Sequence, residues 1–553
     1  MEFKKVSIDD REIIEYYLTL ADYPNCELTF TNILLWGRKY PLEYGIVEDH
    51  LVLRSDKHHS FTFPLGKGDV KPAFDSIIND CQVNNRLVNF HCVNEAMWEQ
   101  IKTIYPGCFQ IIWERDIADY IYFRKDLAEL KGKKYHGKRN HINNFLKSHN
   151  WTYEPITERN RTECFALCET WWDLNQEDDS EKELELSIAK MALNLKEELG
   201  LVGGLIRVDG EVVAFSLGEA VNHNTFVVHI EKALADVQGA YPMINQQLIL
   251  HEAMDYEYIN REDDTGVPGL RKAKLSYRPA YLLKKGYVTE KKDTKKLYKE
   301  IFSEDSDSFV DYYYNNKVID NKILTKCVND QVVAMLHMNP YEIMIDGRKH
   351  YCYYLVAVAT KEEYRHRGYM RELMNQAVAI AEMEETSYIY LMPANPDIYR
   401  PFGFEFITEP MRSQVIVEIE EWEHWKDSQS GTLFINAENC EELVPQLLEQ
   451  MVQFAMHYLQ KQYDCYTCPS VSHYEDLFAQ AISEDGGLCI LYDEKMKIKA
   501  FCFYYKGKEV ELFEVLGHIP FKKTKEVPEI MVRPISGSAK GLKNKSVHIH
   551  ELV

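Results

Sequence analysis

The sequence predicts a mixed α/β protein with mixed sheets, made of four consecutive modules arranged as two pairs. Stretches in which every second residue is apolar, typical of half-buried strands, alternate with stretches of helical period along most of the chain. The same order of elements returns from about residue 295. A length of 553 residues also agrees with roughly three to five domains of ordinary size. We place the modules at residues 1–125, 126–292, 293–424 and 425–553.

The first two modules carry recognisable strand and helix patterns. In module 1, "YGIVEDHLVLRS" predicts a hairpin, and "AFDSIINDC" and "NEAMWEQIKTIYPG" predict helices. In module 2, "LVGGLIRVDGEVVAFSLGEAVNHNTFVVHIEK" predicts three strands, with a tight turn at "DG" in 209–210. The loop "ALADVQGAYP", the helix "MINQQLILHEAMD" and the strand "YEYINRE" follow in that order.

Module 3 repeats the order of module 2. Its strands are separated by turns at "ND" and "DG", and they lead into the loop "KEEYRHRGYM", the helix "RELMNQAVAIAEMEE" and the strand "SYIYLMP". Gly368 of this loop corresponds to Gly239 of module 2. Module 4 has helices and strands but no loop with Gly and Arg, so we interpret it as a degenerate copy.

Composition narrows the classes of function. A net charge of −23 argues against nucleic-acid binding that depends on many cations, although it allows a local basic patch. No stretch approaches the ~18 apolar residues of a membrane helix, so we expect a cytoplasmic protein without membrane insertion. The 13 cysteines are scattered through apolar segments, which indicates reduced core thiols. Cys465 and Cys468 form a CxxC pair, but no second pair of ligands lies near them in the sequence. We therefore expect no metal.

The loop of module 3 has the chemistry of a phosphate site. A helix start leaves backbone N–H groups unpaired and carries partial positive charge, and Gly368 lets an anion approach the backbone closely. Arg365 and Arg367 would add charged hydrogen bonds. The alternative is an ordinary strand-to-helix turn with two solvated arginines.

The segments "YRHRGYMRELM" and "IYRPFGFEF" resemble the GCN5-related N-acetyltransferase (GNAT) superfamily. The phosphate loop of that superfamily follows R/Q-x-x-G-x-G/A, which Arg365 to Tyr369 fit and from which Met370 departs. A bulky residue at that place and an "IYxRFGY"-type segment are features of the enhanced-intracellular-survival branch. The resemblance implies tandem GNAT-like modules and acetyl-CoA as co-substrate.

The resemblance also implies roles for individual residues. An amide at Val356 or Val358 would hydrogen-bond the thioester carbonyl, and Tyr399 would be the general acid for the leaving thiolate. The base that takes the amine proton stays open between His337, His350 and a water. The implied acetyl-CoA-binding residues are Val356, Val358, Arg365, His366, Arg367, Gly368, Tyr369 and Met370.

Residues 1 to 290 resemble a bacterial family related to the C-terminal catalytic domain of lysylphosphatidylglycerol synthases, through "LKGKKYHGKRNHINNF" and "YINREDDTGVPGLRKAKLSYRP". Relatives transfer an aminoacyl group from charged tRNA to a lipid head group. The resemblance suggests two basic groups that could contact a phosphate or the end of an RNA, the alternative being solvated helix faces. These groups are Lys133, Lys134, Lys138, Arg139 and His141, and Arg271, Lys272 and Lys274.

Three functions remain open at this point. The first is an N-acetyltransferase in module 3, an acyltransferase for groups other than aminoacyl groups, acting on an amine of a small molecule or peptide. The second is an aminoacyl-tRNA-dependent aminoacyltransferase in residues 126–292. The third is a binding protein without catalysis. The complete loop of module 3 favours the first.

Overall fold

The computed structural model describes residues 1–55, 59–84, 86–174, 180–329, 331–406, 412–429, 431–521, 525–527, 530–535 and 545–549. The chain forms two compact units, one of residues 1–104 and 111–290 and one of residues 105–110 and 291–553. Among the described residues, no helix combines the length and the apolar character that crossing a membrane requires.

The chain up to residue 290 contains ten helices and fourteen strands in the described residues. The helices are α1 (Arg11–Ala21), α2 (Phe30–Leu35), α3 (Lys71–Val83), α4 (Glu95–Ile104), α5 (Arg124–Glu129), α6 (His136–Ser148), α7 (Arg161–Leu174), α8 (Ser180–Asn194), α9 (Ala240–Glu252) and α10 (Pro268–Leu275). The strands are β1 (Lys4–Lys5), β2 (Leu42–Val47), β3 (His50–Ser55), β4 (Ser60–Phe61), β5 (Asn89–Asn94), β6 (Phe109–Trp113), β7 (Asp119–Phe123), β8 (Trp151–Pro155), β9 (Val202–Val208), β10 (Glu211–Ala220), β11 (Thr225–Ala233), β12 (Tyr258–Asn260), β13 (Tyr281–Leu283) and β14 (Lys285–Glu290).

The rest of the described chain contains six helices and fourteen strands. The helices are α11 (Lys295–Ile301), α12 (Asp307–Asn316), α13 (Tyr369–Met383), α14 (Ile419–Ser428), α15 (Pro445–Gln462) and α16 (Val471–Ser483). The strands are β15 (Lys322–Val328), β16 (Gln331–Ile345), β17 (Arg348–Thr360), β18 (Tyr388–Leu391), β19 (Glu405–Phe406), β20 (Arg412–Val417), β21 (Thr432–Ile435), β22 (Cys465–Thr467), β23 (Gly487–Tyr492), β24 (Ile498–Lys506), β25 (Val510–Gly517), β26 (Lys525–Val527), β27 (Met531–Pro534) and β28 (Val547–His548).

These strands form four mixed sheets, which confirms the predicted α/β class. The first has the order β1-β2-β3-β4-β5-β14-β6, and the second β13-β7-β12-β11-β10-β9-β8. The third has the order β19-β27-β18-β17-β16-β22-β28, with β15 on β16, and the fourth β21-β23-β24-β25-β20-β26.

In each predicted pair, strands pair across the predicted module boundary. Strand β7 of the first 125 residues lies in the second sheet between β12 and β13, whereas β14 lies in the first sheet beside β5. In the second pair, β20 joins β25 in the fourth sheet, and β27 lies between β18 and β19 in the third. Strand pairing therefore crosses the sequence boundaries that we placed at 125 and 424.

The turns predicted from "DG" are confirmed. Asp209 and Gly210 have φ of 49° and 93°, and Asp346 and Gly347 have φ of 48° and 73°. Two consecutive positive φ angles define the type I′ turn, whose twist matches that of the flanking strands. Of the predicted "ND" turn, Asn329 has φ 49°, and residue 330 lies outside the described residues.

Candidate active site in the third module

Strands β17 and β18 diverge at the centre of the third sheet. They pair in parallel only from Cys352 to Tyr354, opposite Tyr388 to Tyr390, although β17 continues to Thr360. Beyond Tyr354 this side of β17 has no strand partner among the described residues. The divergence opens a cleft in which backbone amides of β17 can reach a ligand.

A β-bulge lies on β17 in this cleft. Met335 pairs with Ala359, but His337 pairs with Val356, so two residues of β17 oppose one residue of β16. Ala357, within the bulge, has φ 51°. Because a bulge redirects backbone groups, the predicted oxyanion amides at Val356 and Val358 flank the point where the backbone turns.

The loop after β17 leads directly into α13. His366 has φ 62°, and Gly368 is the N-cap of α13 with φ 84°. The first hydrogen bond of the helix runs from the amide of Glu372 to the carbonyl of Gly368. The amides of residues 366 to 370 have no hydrogen-bond partner in the part of the chain that the structure describes. The loop thus presents consecutive unpaired donors.

The loop is open at its glycine. A Cβ atom built on Gly368 meets no atom within 4 Å. The side chains of Arg365 and Arg367 are exposed and brace the loop, because Nε of Arg365 donates to the Thr360 carbonyl at 3.2 Å and Nη2 of Arg367 donates to the Glu363 carbonyl at 3.0 Å. Both guanidinium groups keep further N–H groups for an anion.

Tyr399 lies on the segment after β18, between two short 3-10 turns, Pro396–Ile398 and Arg400–Phe402. Its half-buried ring packs edge-on against Phe404 at 6.2 Å between centroids. Burial raises the pKa of Tyr399 above its usual value. The phenol therefore stays protonated at neutral pH, as a proton donor must.

The structure separates the two candidate histidine bases. His337 is fully buried, and its Nδ1 and Nε2 lie 2.9 Å from the Tyr313 hydroxyl and 3.1 Å from the Thr294 hydroxyl. Burial and the charge of Lys291 lower the pKa of His337 to about 3, so its imidazole is neutral. His350 lies roughly 20 Å before Val356 along β17, beside Ser387. His337 lies beside the bulge but has no access to solvent, and His350 lies far from the bulge. Neither histidine is therefore placed to act as a base in the cleft.

Module 2 has the same framework with a covered loop. Strand β11 carries a bulge at His229, and Gly239 is the N-cap of α9 with φ 92°. A Cβ atom on Gly239 would lie 2.7 Å from the His141 carbonyl oxygen and 3.0 Å from Cβ of Phe145, both on α6. Helix α6 therefore covers the place where Gly368 of module 3 is open.

The first unit contains a buried ionic cluster that the sequence did not predict. Nζ of Lys285 lies 2.7 Å from Oδ1 of Asp119 and 2.5 Å from Oε1 of Glu27, and Sγ of Cys26 lies 3.1 Å from the same Asp119 oxygen. Although burial opposes its charge, Asp119 raises the pKa of Lys285, whereas burial raises the pKa of Cys26 and Glu27. The acidic run "NREDD" was the one sequence signal nearby.

This cluster includes a donor set that a metal could use. One atom each of Cys26, Asp119 and Asp263 lie within 4.8 Å of one another. The Lys285 ammonium already lies against Asp119 and Cys26, so an ion binding there would have to displace it. Burial raises the pKa of Asp263 to about 7, which further weakens the set as a cation site near neutrality.

A histidine bridges two carboxylates in the bulge of β11. Nδ1 of His229 lies 2.8 Å from Glu262 and Nε2 lies 2.9 Å from Glu219. Burial opposes the charge, but both hydrogen bonds stabilise it and raise the pKa of His229 to about 9. The imidazolium and the neighbouring cluster lie where β11 and β12 diverge, because those strands pair only as far as Val227 and Asn260.

Four of the eight predicted basic residues make polar contacts within the chain. Lys134 pairs with Asp126 at 2.8 Å, and Arg139 donates to the Gly132 carbonyl at 2.7 Å. Arg271 pairs with Asp264 at 2.9 Å, and Nζ of Lys274 donates to the Arg261 carbonyl at 2.6 Å. These contacts fix the polypeptide locally rather than forming one basic surface.

Each half of the chain matches a known protein family. Residues 19–288 match the family model described as phosphatidylglycerol lysyltransferase, C-terminal, and residues 282–407 match the acetyltransferase (GNAT) domain. No protein with a curated description matches the chain. The matched models are those of acyltransferases.

Solved structures are similar to this chain as well. A conserved protein of unknown function from Bacteroides thetaiotaomicron is 37% identical, with a TM-score of 0.50, over 53% of this chain and 100% of that chain. The C-terminal domain of a putative lysylphosphatidylglycerol synthetase from Agrobacterium fabrum is 13% identical, with a TM-score of 0.38, over 51% of this chain and 92% of that one. A GCN5-related N-acetyltransferase from Kribbella flavida is 15% identical, with a TM-score of 0.34, over 44% and 68%. The first half of the chain thus contains a domain that matches the phosphatidylglycerol lysyltransferase C-terminal family, and the second half contains a GNAT domain.

Proposed function

We propose that module 3, residues 293–424, is an acetyl-CoA-dependent N-acetyltransferase that acts on an amine of a small molecule or peptide. The observation that carries this proposal is the run of unpaired amides from His366 to Met370, between the bulged strand β17 and the N-terminus of α13. Unpaired amides at a helix start with an open glycine fit a pyrophosphate. Arg365 and Arg367 would add charged hydrogen bonds at its rim.

The residues of the cleft have separate roles in the proposed reaction. An amide at Val356 or Val358, redirected by the bulge, hydrogen-bonds the thioester carbonyl and stabilises the oxyanion that forms as the amine attacks. Tyr399 donates its proton to the leaving thiolate. Both ring nitrogens of His337 are hydrogen-bonded and its imidazole is neutral. The amine proton therefore goes to water.

Calorimetric titration with acetyl-CoA tests the cradle. Gly368→Glu places a carboxylate where the phosphates bind, and we expect affinity to fall by at least about a hundredfold. Gly368→Ala is the matched control, because it carries the same strain at φ 84° without the charge and its Cβ meets no atom within 4 Å. A second control, Gly347→Glu, places the same charge on the distant "DG" turn.

Two results would contradict the proposal. One is a wild-type protein that does not bind acetyl-CoA. The other is equal binding by the wild type and Gly368→Glu. Binding without acetyl transfer to any amine would instead favour a binding protein without catalysis.

A second candidate function belongs to module 2, where aminoacyl transfer would use the cleft between β11 and β12. The buried group of His229, Glu219 and Glu262 favours it, because strongly perturbed ionisable residues in such a cleft are typical of functional sites. Release of amino acid from charged tRNA, compared between the wild type and Glu262→Gln, tests this candidate. No release by the wild type would dismiss it.

A further inference from the structure

The cleft of module 2 also holds an arginine, Arg261, whose side chain is 11% exposed and which has a buried, unused donor. Nη2 of Arg261 lies 3.1 Å from Oε1 of Glu231, but Nη1 has no hydrogen-bond partner in the described chain. The guanidinium carbon lies 4.7 Å from the centroid of the Tyr277 ring. A buried donor of a charged group without an acceptor is costly, so its presence calls for an acceptor that enters from outside.

Lys138 approaches the same tyrosine. Its Nζ lies 3.8 Å from the centroid of the Tyr277 ring, and within the described residues no acceptor or carboxylate pairs with it. The side chain is half-buried on the first turn of α6, and it reaches inward while Lys134 pairs with Asp126. Burial, followed by the charge of Arg261, lowers the pKa of Lys138 to about 8. Two cations are therefore close enough to repel each other.

The local charge is not balanced. Glu231 is the carboxylate that pairs with Arg261, and it also accepts a hydrogen bond from Nδ2 of Asn245 at 2.9 Å. Lys274, which is half-buried, donates to the Arg261 carbonyl instead of adding an acceptor. Arg261 and Lys138 thus face one carboxylate, and an additional anion would balance the charge.

The position of these residues indicates access for a ligand. Arg261 directly follows β12, and Glu231 lies on β11 beyond its last residue paired with β12, Val227. Both therefore lie where the two strands diverge. Neither side chain is closed off from solvent, because Lys138 is half-buried and Arg261 is 11% exposed.

We propose that Lys138 and Arg261 bind a phosphate group of a ligand that enters the cleft of module 2. Phosphate suits the pair because its oxygens can accept from Nη1 and Nζ at the same time, and the ring of Tyr277 holds both cations in place. The site is separate from the acetyl-CoA cradle of module 3, so either proposal can fail without the other.

Pyridoxal 5′-phosphate is a direct probe of this site. Its aldehyde forms an imine with Nζ of Lys138 with loss of water, borohydride then fixes the product as a secondary amine, and peptide mass spectrometry finds the labelled lysine. We expect labelling of Lys138 to exceed that by pyridoxal, which lacks the phosphate, by about tenfold or more. Inorganic phosphate and adenosine 5′-monophosphate should block it, and acetate should not. Stronger protection by the nucleotide identifies a nucleotide ligand, and equal protection identifies phosphate alone.

Variants separate the site from general reactivity. Arg261→Gln should reduce the preference for the phosphorylated probe, and Glu231→Gln, which removes the competing carboxylate, should increase it. Lys134→Gln is the matched control on the preceding 3-10 turn and should leave Lys138 labelling unchanged. Equal labelling by pyridoxal, or protection by acetate as effective as that by phosphate, would overturn the proposal, and Glu231→Gln keeps it testable if Arg261→Gln does not fold.

Discussion

Tyr399 is the residue whose proposed role is simplest to isolate. Tyr399→Phe removes the hydroxyl and keeps the ring that packs on Phe404, so acetyl-CoA affinity should be unchanged. Turnover should fall by about a hundredfold, the lower end of the effect of a general acid. Because burial raises the pKa of Tyr399 above its usual value, the wild-type rate should show little alkaline loss from this group below about pH 9.

Kinetics of acetyl-CoA consumption across pH 6 to 10 check this prediction. Tyr351→Phe is the control, since Tyr351 is exposed near the other end of β17. An unchanged turnover of Tyr399→Phe would remove Tyr399 from the mechanism.

His229 makes a prediction about stability and pH. Its pKa is raised from 6.5 to about 9 by Glu219 and Glu262, so its charged form favours the folded state. This contribution, about 3 kcal/mol, is fully present below pH 6.5 and is lost as pH rises through 9. His229→Gln should therefore flatten the fall in stability between pH 6.5 and 9.

Hydrogen exchange of β11 in the full chain measures that difference. His223→Gln serves as the control, because His223 contacts Asp22 at the surface of the same unit. If β11 loses protection with pH equally in the wild type and His229→Gln, Glu219 and Glu262 do not stabilise a charged His229 as proposed.

At the scale of elements, the two glycine loops differ in what covers them. Gly239→Ala and Gly368→Ala carry similar backbone strain, with φ of 92° and 84°. Only the Cβ at 239 meets α6, at 2.7 Å from the His141 carbonyl. We expect Gly239→Ala to cost about 1–3 kcal/mol more in the free energy of unfolding, measured by urea denaturation. Equal costs would show that α6 does not rest on this loop.

Local signals predicted the elements, and long-range pairing escaped prediction. The turns at Asp209–Gly210 and Asp346–Gly347, and the helix that begins after Gly368, depend on residues adjacent in sequence. The Lys285 cluster joins residues 258 and 166 positions apart, which no local period records. The sequence also does not show which sheet β7 and β14 join, because an apolar strand pattern does not specify the partner strand.

At the scale of the whole molecule, strand exchange makes the modules of each pair interdependent. Strand β27 lies between β18 and β19, and Nη1 of Arg533 on β27 donates to the Phe402 carbonyl at 2.7 Å, on the turn that follows Tyr399. A strand from the C-terminal module thus supports the proposed catalytic segment of module 3. This gives module 4 a structural role although its sequence has no loop with Gly and Arg.

Truncation tests this interdependence. A fragment of residues 291–424 lacks β27. In this fragment β18 loses the strand that pairs with it on that side, and the segment around Tyr399 loses the hydrogen bond from Arg533. We expect this fragment to aggregate or to unfold at least 10 °C below residues 291–553, in line with the loss of several kcal/mol. Residues 1–290 retain both exchanged strands of their pair, β7 and β14, and should melt cooperatively. Circular dichroism melting of the three fragments gives the comparison, and a 291–424 fragment as stable as 291–553 would show that β27 contributes nothing to module 3.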